Sequence, residues 1–263
     1  MDIIIADHAG FCFGVQRSIE MADKALAERG EIRCVGPLIH NKQVVAELEA
    51  EGFRVVDSIE DVPDAAATMI RAHGTGPAAY EDASEREITL IDATCPFVQR
   101  AQRAAAAMAE DGYQVLVVGE REHPEARGIV EHSGGRARVV QEPAEIDDLE
   151  LKKRVGIVAQ TTQNAEKVAE VVTKVIPHAS DIKIANTICD ATSQRQTAAL
   201  AVAKQADLML VIGGRHSANT TRLAEMCGAT GTPTHLIESA HEIRPDWISE
   251  RSASALRVAH PRR

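Results

Sequence analysis

The chain has 263 residues, 44% hydrophobic and only 3% aromatic, with a formal net charge of −10 from 29 Lys+Arg against 39 Asp+Glu. That length can bury a substantial core, as one large domain or several small ones, resting on Ala, Val, Ile and Leu. The acidic balance argues against nucleic acid as a partner, and no apolar run approaches the ~20 residues of a membrane span.

The N-terminus, Met1-Asp-Ile-Ile-Ile, lacks the basic start of a secretion signal. The expectation is a cytoplasmic protein with no membrane partner, in which cysteines are ligands or reactive thiols rather than disulfides. An anionic small molecule stays open as a ligand, held by helix N-termini, His, Ser, Thr and Asn.

In chain order, apolar Val- and Ile-rich runs predict strands at Ile3–Ala6, Arg33–Val35, Thr68–Arg71, Thr89–Ile91, Gln114–Val118, Val155–Ala159, Ile182–Ile184, Leu208–Ile212 and His235–Ile237. Between them, Ala-rich amphipathic stretches predict helices at Val15–Arg29, Gln43–Ala50, Pro96–Glu110, Ala165–Ile176, Ser193–Gln205 and Thr220–Cys227. Alternation of this kind predicts an α/β protein with mainly parallel sheets.

Three cysteines share one setting, roughly a third of the chain apart: Cys12-Phe-Gly-Val-Gln16-Arg17, Cys95-Pro-Phe-Val-Gln99-Arg100 and Cys189-Asp-Ala-Thr-Ser-Gln194-Arg195. Each falls at a strand-to-helix turn, where a helix N-terminus favours thiolate over thiol. Repetition predicts three similar small α/β units in a trefoil around a central cleft, at 1–95, 96–188 and 189–263, with Cys12 near the start of the first, Cys95 directly before the second and Cys189 opening the third. Three thiolates on distant segments hold three corners of a metal site and leave the fourth open. Zinc and an iron–sulfur cluster both satisfy that pattern, and the absence of a Cys-x-x-Cys pair favours the cluster. Cys34 in a strand and Cys227 near a helix end read as buried small hydrophobes.

Polar motifs follow five of the strands: His40-Asn41, Ala72-His73-Gly74, His123-Pro124-Glu125, Gln160-Thr161-Thr162 and Ser217-Ala218-Asn219. Ligands of open α/β units bind beyond the C-terminal ends of strands, where these motifs lie. Imidazoles, hydroxyls and amides there suit phosphate oxygens, and Glu125 with Thr161 suits proton delivery.

Taken together, Ala9-Gly-Phe-Cys12-Phe-Gly-Val, Asp92-Ala-Thr-Cys95-Pro, Cys189-Asp-Ala-Thr and the five strand-end motifs resemble those of the 4-hydroxy-3-methylbut-2-enyl diphosphate reductases, the LytB-type iron–sulfur reductases. The resemblance runs to about Trp247. It implies a [4Fe–4S] cluster on Cys12, Cys95 and Cys189, and a substrate diphosphate on His40, His73, His123, Ser217 and Asn219. It also implies Glu125 with Thr161 as proton donor and a ferredoxin or flavodoxin as electron donor. The product would be isopentenyl and dimethylallyl diphosphate, the last step of the methylerythritol phosphate route.

Two departures from the family pattern stand out. Ala218 takes the place of a Ser that the family often has. The tail Ser254-Ala-Leu-Arg-Val-Ala-His-Pro-Arg-Arg263 shows neither the strand nor the Gly-Ala-Ser-Thr-Pro-like loop expected there. With suitable codons for Ala253–Arg263, reading one frame away gives Val-Gly-Val-Thr-Ser-Gly-Ala-Ser-Thr-Pro, so a frameshift near residue 250 is the expectation. A truncated, inactive or non-catalytic cluster-binding relative is the competing one.

Overall fold

Eleven strands and eight α-helices alternate along the residues described in the computed structural model, which are 2–247 and the backbone of Ala255–Arg257. Every strand pairing is parallel. By contact the chain divides into two compact units, one of residues 1–13, 40–43 and 189–263, the other of residues 14–39 and 44–188.

The larger unit holds two sheets. Helix α1 (Phe13–Arg29) leads into β1 (Ile32–Val35), α2 (Lys42–Ala50), β2 (Phe53–Val56), β3 (Ala67–Ile70), α3 (Pro77–Glu85) and β4 (Thr89–Asp92). Those strands form a sheet in the order β2-β1-β3-β4. Next come α4 (Pro96–Glu110), β5 (Gln114–Val118), α5 (Pro124–His132), β6 (Arg138–Val140), β7 (Arg154–Ala159), α6 (Ala165–Val175) and β8 (Asp181–Ile184), with the order β6-β5-β7-β8. In β5 the side chains alternate between two faces, and both faces are buried. Val115 and Val117 pack with Ala101, Ala105, Ala126 and Ile129 of α4 and α5, whereas Leu116 and Val118 pack with Val171 and Val175 of α6. A strand covered by helices on both sides must be apolar throughout, which is why Gln114–Val118 reads as an unbroken run.

The smaller unit holds α7 (Asp190–Ala203), β9 (Met209–Ile212), α8 (Ala218–Gly228), β10 (Thr234–Ile237) and β11 (Ala255–Arg257), with the order β10-β9-β11. Its core is smaller: Ala199, Ala203, Met209, Val211, Leu223 and Cys227 on one side of β9, Leu208, Leu210 and Ile237 on the other.

In both four-stranded sheets the order reverses between the two central strands, β1 with β3 and β5 with β7. Connections leave such a pair toward opposite faces, and the loops after it are the natural ligand position of a doubly wound sheet. The motifs carrying His40, His73, His123, Glu125 and Thr161 follow β1, β3, β5 and β7, and Ser217 and Asn219 follow β9, the central strand of the third sheet.

The structure corrects several sequence-based elements. Ile3–Ala6 is no strand among the described residues, and Ile3, Ile4 and Ile5 are exposed at 57%, 44% and 60%. A run of isoleucines fits the strand pattern, but a strand exists only where a neighbour takes its N–H and C=O groups. Strands β2 and β6 and helices α3 and α5 are not predicted by the sequence pattern. The two strands are short outer members of their sheets, and each contains an Arg.

Helices α7 and α8 begin earlier than periodicity indicates, at Asp190 and Ala218, because N-capping rather than apolar spacing sets their starts. The reading of the tail concerns residues 248–263, which lie outside the described residues apart from β11. There the expectation of no strand fails, since Ala255, Leu256 and Arg257 pair with Met209, Leu210 and Val211. Backbone pairing places few demands on side-chain pattern. No helix among the described residues is long and apolar enough to cross a membrane.

Candidate active site

Each of the three repeated cysteines sits at the start of a helix. Cys12 directly precedes α1, and Cys95 and Cys189 are the N-caps of α4 and α7 in extended backbone. Pro96 occupies the first position of α4, where its missing N–H costs nothing. At Cys189 the sulfur accepts the Thr192 N–H at 3.3 Å and lies 3.0 Å from the Thr192 hydroxyl. All three are half-buried, and none of the five cysteines is in a disulfide. Cys34 and Cys227 differ: both are fully buried, and burial pushes the Cys34 thiol up to about 12, with Arg71 only partly opposing it. A thiol held protonated in a strand interior is a poor metal ligand, whereas half-exposed thiols at helix N-termini are good ones.

The larger unit links Cys95, His73, His123, Glu125 and Thr161 through consecutive contacts. The Cys95 N–H donates to Ala72 O at 3.0 Å, tying the thiol turn to the residue before His73. The rings of His73 and His123 meet edge to face, with centroids 5.3 Å apart. His123 is the N-cap of α5, and its Nδ1 accepts the Glu125 N–H at 3.2 Å. An accepting Nδ1 puts the imidazole proton on Nε2, making that nitrogen the ring's donor.

Glu125 is 2% exposed, and it is gripped by Thr161. The Thr161 N–H donates to Oε1 at 2.6 Å and its hydroxyl to Oε2 at 2.9 Å. Burial outweighs these two bonds and pushes Glu125 up from 4.5 to about 7, with the nearby Glu120 adding to the rise. The carboxyl therefore keeps its proton up to about pH 7. Buried Gln160 accepts the Glu120 N–H and donates to the Thr162 hydroxyl, which fixes the loop after β7.

The smaller unit assembles another set. Ser217 is the N-cap of α8, accepting the Thr220 N–H at 3.4 Å, so Ala218 and Asn219 form the first turn. Ser217 and Asn219 are half-buried, and a buried Asn219 Oδ1 has no partner among the described residues. His40 O lies where a Cβ on Gly214 would stand, 2.3 Å away, so only glycine lets the β9 loop rest on the His40-Asn41 backbone. Sequence reasoning did not single out Gly214 or Thr192. The Gly-Gly before a helix and the Thr three residues after a cysteine N-cap were their signals.

Among known proteins, residues 3–258 match the model of the LytB protein family, past the Trp247 limit of the sequence resemblance. The 4-hydroxy-3-methylbut-2-enyl diphosphate reductase of Geobacter metallireducens is 44% identical over 248 residues, covering 94% of this chain and 88% of that protein. The enzyme of the same name from Geobacter sulfurreducens matches to the same extent. Among solved structures, the E-1-hydroxy-2-methyl-but-2-enyl-4-diphosphate reductase of Plasmodium falciparum superposes with a TM-score of 0.92 at 27% identity, covering 99% of this chain and 84% of that one. The (E)-4-hydroxy-3-methyl-but-2-enyl diphosphate reductase described as the terminal enzyme of the non-mevalonate pathway gives 0.71 at 37% identity, covering 99% and 93%. This chain belongs to the LytB family.

Proposed function

We propose that this protein reductively dehydroxylates 4-hydroxy-3-methylbut-2-enyl diphosphate to isopentenyl and dimethylallyl diphosphate, the terminal step of the non-mevalonate route. The observation that carries the reading is the buried Glu125–Thr161 pair, a proton donor whose carboxyl stays protonated up to near neutrality. A non-catalytic cluster carrier has no use for such a pair, nor for a set of phosphate-binding side chains.

The donor set fits a [4Fe–4S] cluster: Cys12, Cys95 and Cys189 are half-exposed thiols, each at the start of a different helix. When bound, such a cluster supplies the two electrons and a Lewis-acidic iron with an open position. His40, His73, His123, Ser217 and Asn219 hold the diphosphate. Nε2–H of His123, the Ser217 hydroxyl and the first N–H groups of α8 are donors suited to phosphate oxygens. They let a protein of charge −10 bind an anion.

Two electrons and two protons enter, the allylic C–O bond breaks, and water leaves. Glu125 gives the proton that turns the departing hydroxyl into water, through Thr161 Oγ1, which sits 2.9 Å from Oε2 and can pass a proton on as it receives one. The second proton adds to either end of the allyl anion, which accounts for two products. A ferredoxin or flavodoxin in the cytoplasm delivers the electrons, and neither nucleic acid nor membrane takes part.

The test is anaerobic reconstitution with iron and sulfide, followed by turnover of the hydroxymethylbutenyl diphosphate with a reduced viologen dye. Absorbance near ~410 nm together with dye oxidation and both products is expected. A protein with its full iron complement that leaves the substrate intact would overturn the reading.

A further inference from the structure

The repeat carries a second invariant besides the thiol, a Gln-Arg pair shortly after each cysteine: Gln16-Arg17, Gln99-Arg100 and Gln194-Arg195. None of the three arginines has a part in the chemistry above, and each has a partner far away in sequence, although Arg195 also donates from Nη1 to Ala191 O of its own helix at 3.4 Å. Arg17 Nη1 donates to Thr94 O at 3.3 Å, and Thr94 is the residue before Cys95. Arg100 Nη2 donates to Ile188 O at 3.4 Å and Asn186 O at 3.3 Å, and Ile188 is the residue before Cys189. Arg195 Nη2 donates to Gly10 O at 2.9 Å, on the turn that leads into Cys12.

The assignments close on themselves. The arginine that follows Cys12 holds the turn of Cys95, the one that follows Cys95 holds the turn of Cys189, and the one that follows Cys189 holds the turn of Cys12. Sequence separations of 77, 86, 88 and 185 rule out local helix capping as the reason for these contacts. A solvated charge on an exposed helix face does not explain the contacts of Arg195, 7% exposed, or of half-buried Arg17; Arg100 is exposed and has two distant carbonyl partners.

We propose that Arg17, Arg100 and Arg195 are positioning residues that fix the three thiol-bearing turns in a closed order, each acting on the cysteine of the next repeat and not on its own. The inference rests on the reading that these thiols are the cluster ligands. Its physical basis is the guanidinium fork. A carbonyl in the turn before a helix start has no intrahelical partner, and a charged planar donor satisfies it while reducing the turn's freedom. Each thiol-bearing turn is thereby held before any cluster arrives.

Thiol reactivity in the full-length protein tests this without a cluster. Wild type and the variants R17M, R100M and R195M are pulsed anaerobically with iodoacetamide, and each cysteine's alkylation is read by peptide mass spectrometry. R17M is expected to raise the rate at Cys95, R100M at Cys189 and R195M at Cys12, by about three- to tenfold, with the other two unchanged. The effect is expected to be largest for R195M, whose donor is buried and whose contact is the shortest, and smallest for exposed R100M.

Cys34 and Cys227, fully buried, report whether a variant has unfolded. Where a Met variant exposes them, R17K, R100K and R195K carry the comparison, with a smaller rise at the same distant cysteine. A rise at the variant's own cysteine, an equal rise at all three, or no rise overturns the proposal. In the reconstituted protein the same variants are expected to lose iron to a chelator several times faster. Because alkylation needs no cluster, failure of the cyclic pattern leaves the reductase reading intact, and a protein inactive as a reductase can still show the pattern.

Discussion

His123-Pro124-Glu125 and Ser217-Ala218-Asn219 occupy the same place in the repeat. Each begins the helix after a central strand, with a polar N-cap and a polar residue two positions on. Their environments differ. His123 and Glu125 are 8% and 2% exposed beneath a four-stranded sheet packed on both faces. Ser217 and Asn219 are half-buried after the central strand of a three-stranded sheet with a smaller core. Desolvation turns the first turn into a proton store, because an ionised carboxylate is costly where water is scarce. The second stays half-buried, which suits the anion that the proposed function has enter and leave there. One backbone device thus serves two chemistries according to the depth of the core beneath it.

The strongest way to break the comparison is to remove what both turns serve. Cys12→Ser, Cys95→Ser and Cys189→Ser are each expected to abolish stable cluster binding, measured as iron per chain after reconstitution. Cys34→Ala and Cys227→Ala are expected to keep full iron. Glu125→Gln keeps the shape and loses the proton. Its kcat is expected to fall on the order of 10²–10⁴-fold with cluster absorbance unchanged.

Glu125→Gln should also alter stability in a defined pH window. The folded-state value of about 7 lies above the ordinary 4.5. The native protein therefore keeps a proton that the unfolded chain releases, and stability falls as pH rises from about 4.5 to about 7. Relative to Glu125→Gln, the wild type should lose up to about 3 kcal/mol across that window in denaturant titrations.

Ser217→Ala and Asn219→Ala probe the open turn. Each is expected to raise KM about tenfold with kcat nearly unchanged, since a bond made equally in ground and transition states is lost. The Ser217 change also removes a helix cap worth ~1 kcal/mol, visible as a lower melting temperature. Thr161→Val has a smaller effect on binding. It removes the hydroxyl but leaves the N–H that holds Oε1, so kcat should drop about tenfold. The lost donor should move the Glu125 titration to still higher pH.

How far the sequence reveals this arrangement follows from which forces act locally. Parallel α/β alternation is legible because buried strands such as Gln114–Val118 must be apolar on both faces, and the strand-end motifs because Gly, His and Ser interrupt that pattern. The edge strands Phe53–Val56 and Arg138–Val140 escape, since charge at Arg54 and Arg138 is tolerated there. Ile3–Ala6 misleads for the opposite reason: its pattern is right, but pairing depends on a partner elsewhere in the chain. Glu125 with Thr161 is nameable from strand ends. The depth of its burial depends on two layers of helices, and no local pattern encodes that. The Arg17, Arg100 and Arg195 contacts are likewise visible as a repeat, while their targets emerge only in three dimensions.

The most direct test of the account is the pH dependence of kcat for the cluster-loaded protein between about pH 5.5 and 9. Glu125 as the buried proton donor predicts a rate that is high on the acid side and falls through an apparent pKa of about 7. In Thr161→Val that limb should shift to higher pH. A rate that stays level or rises across this range in the wild type would contradict it.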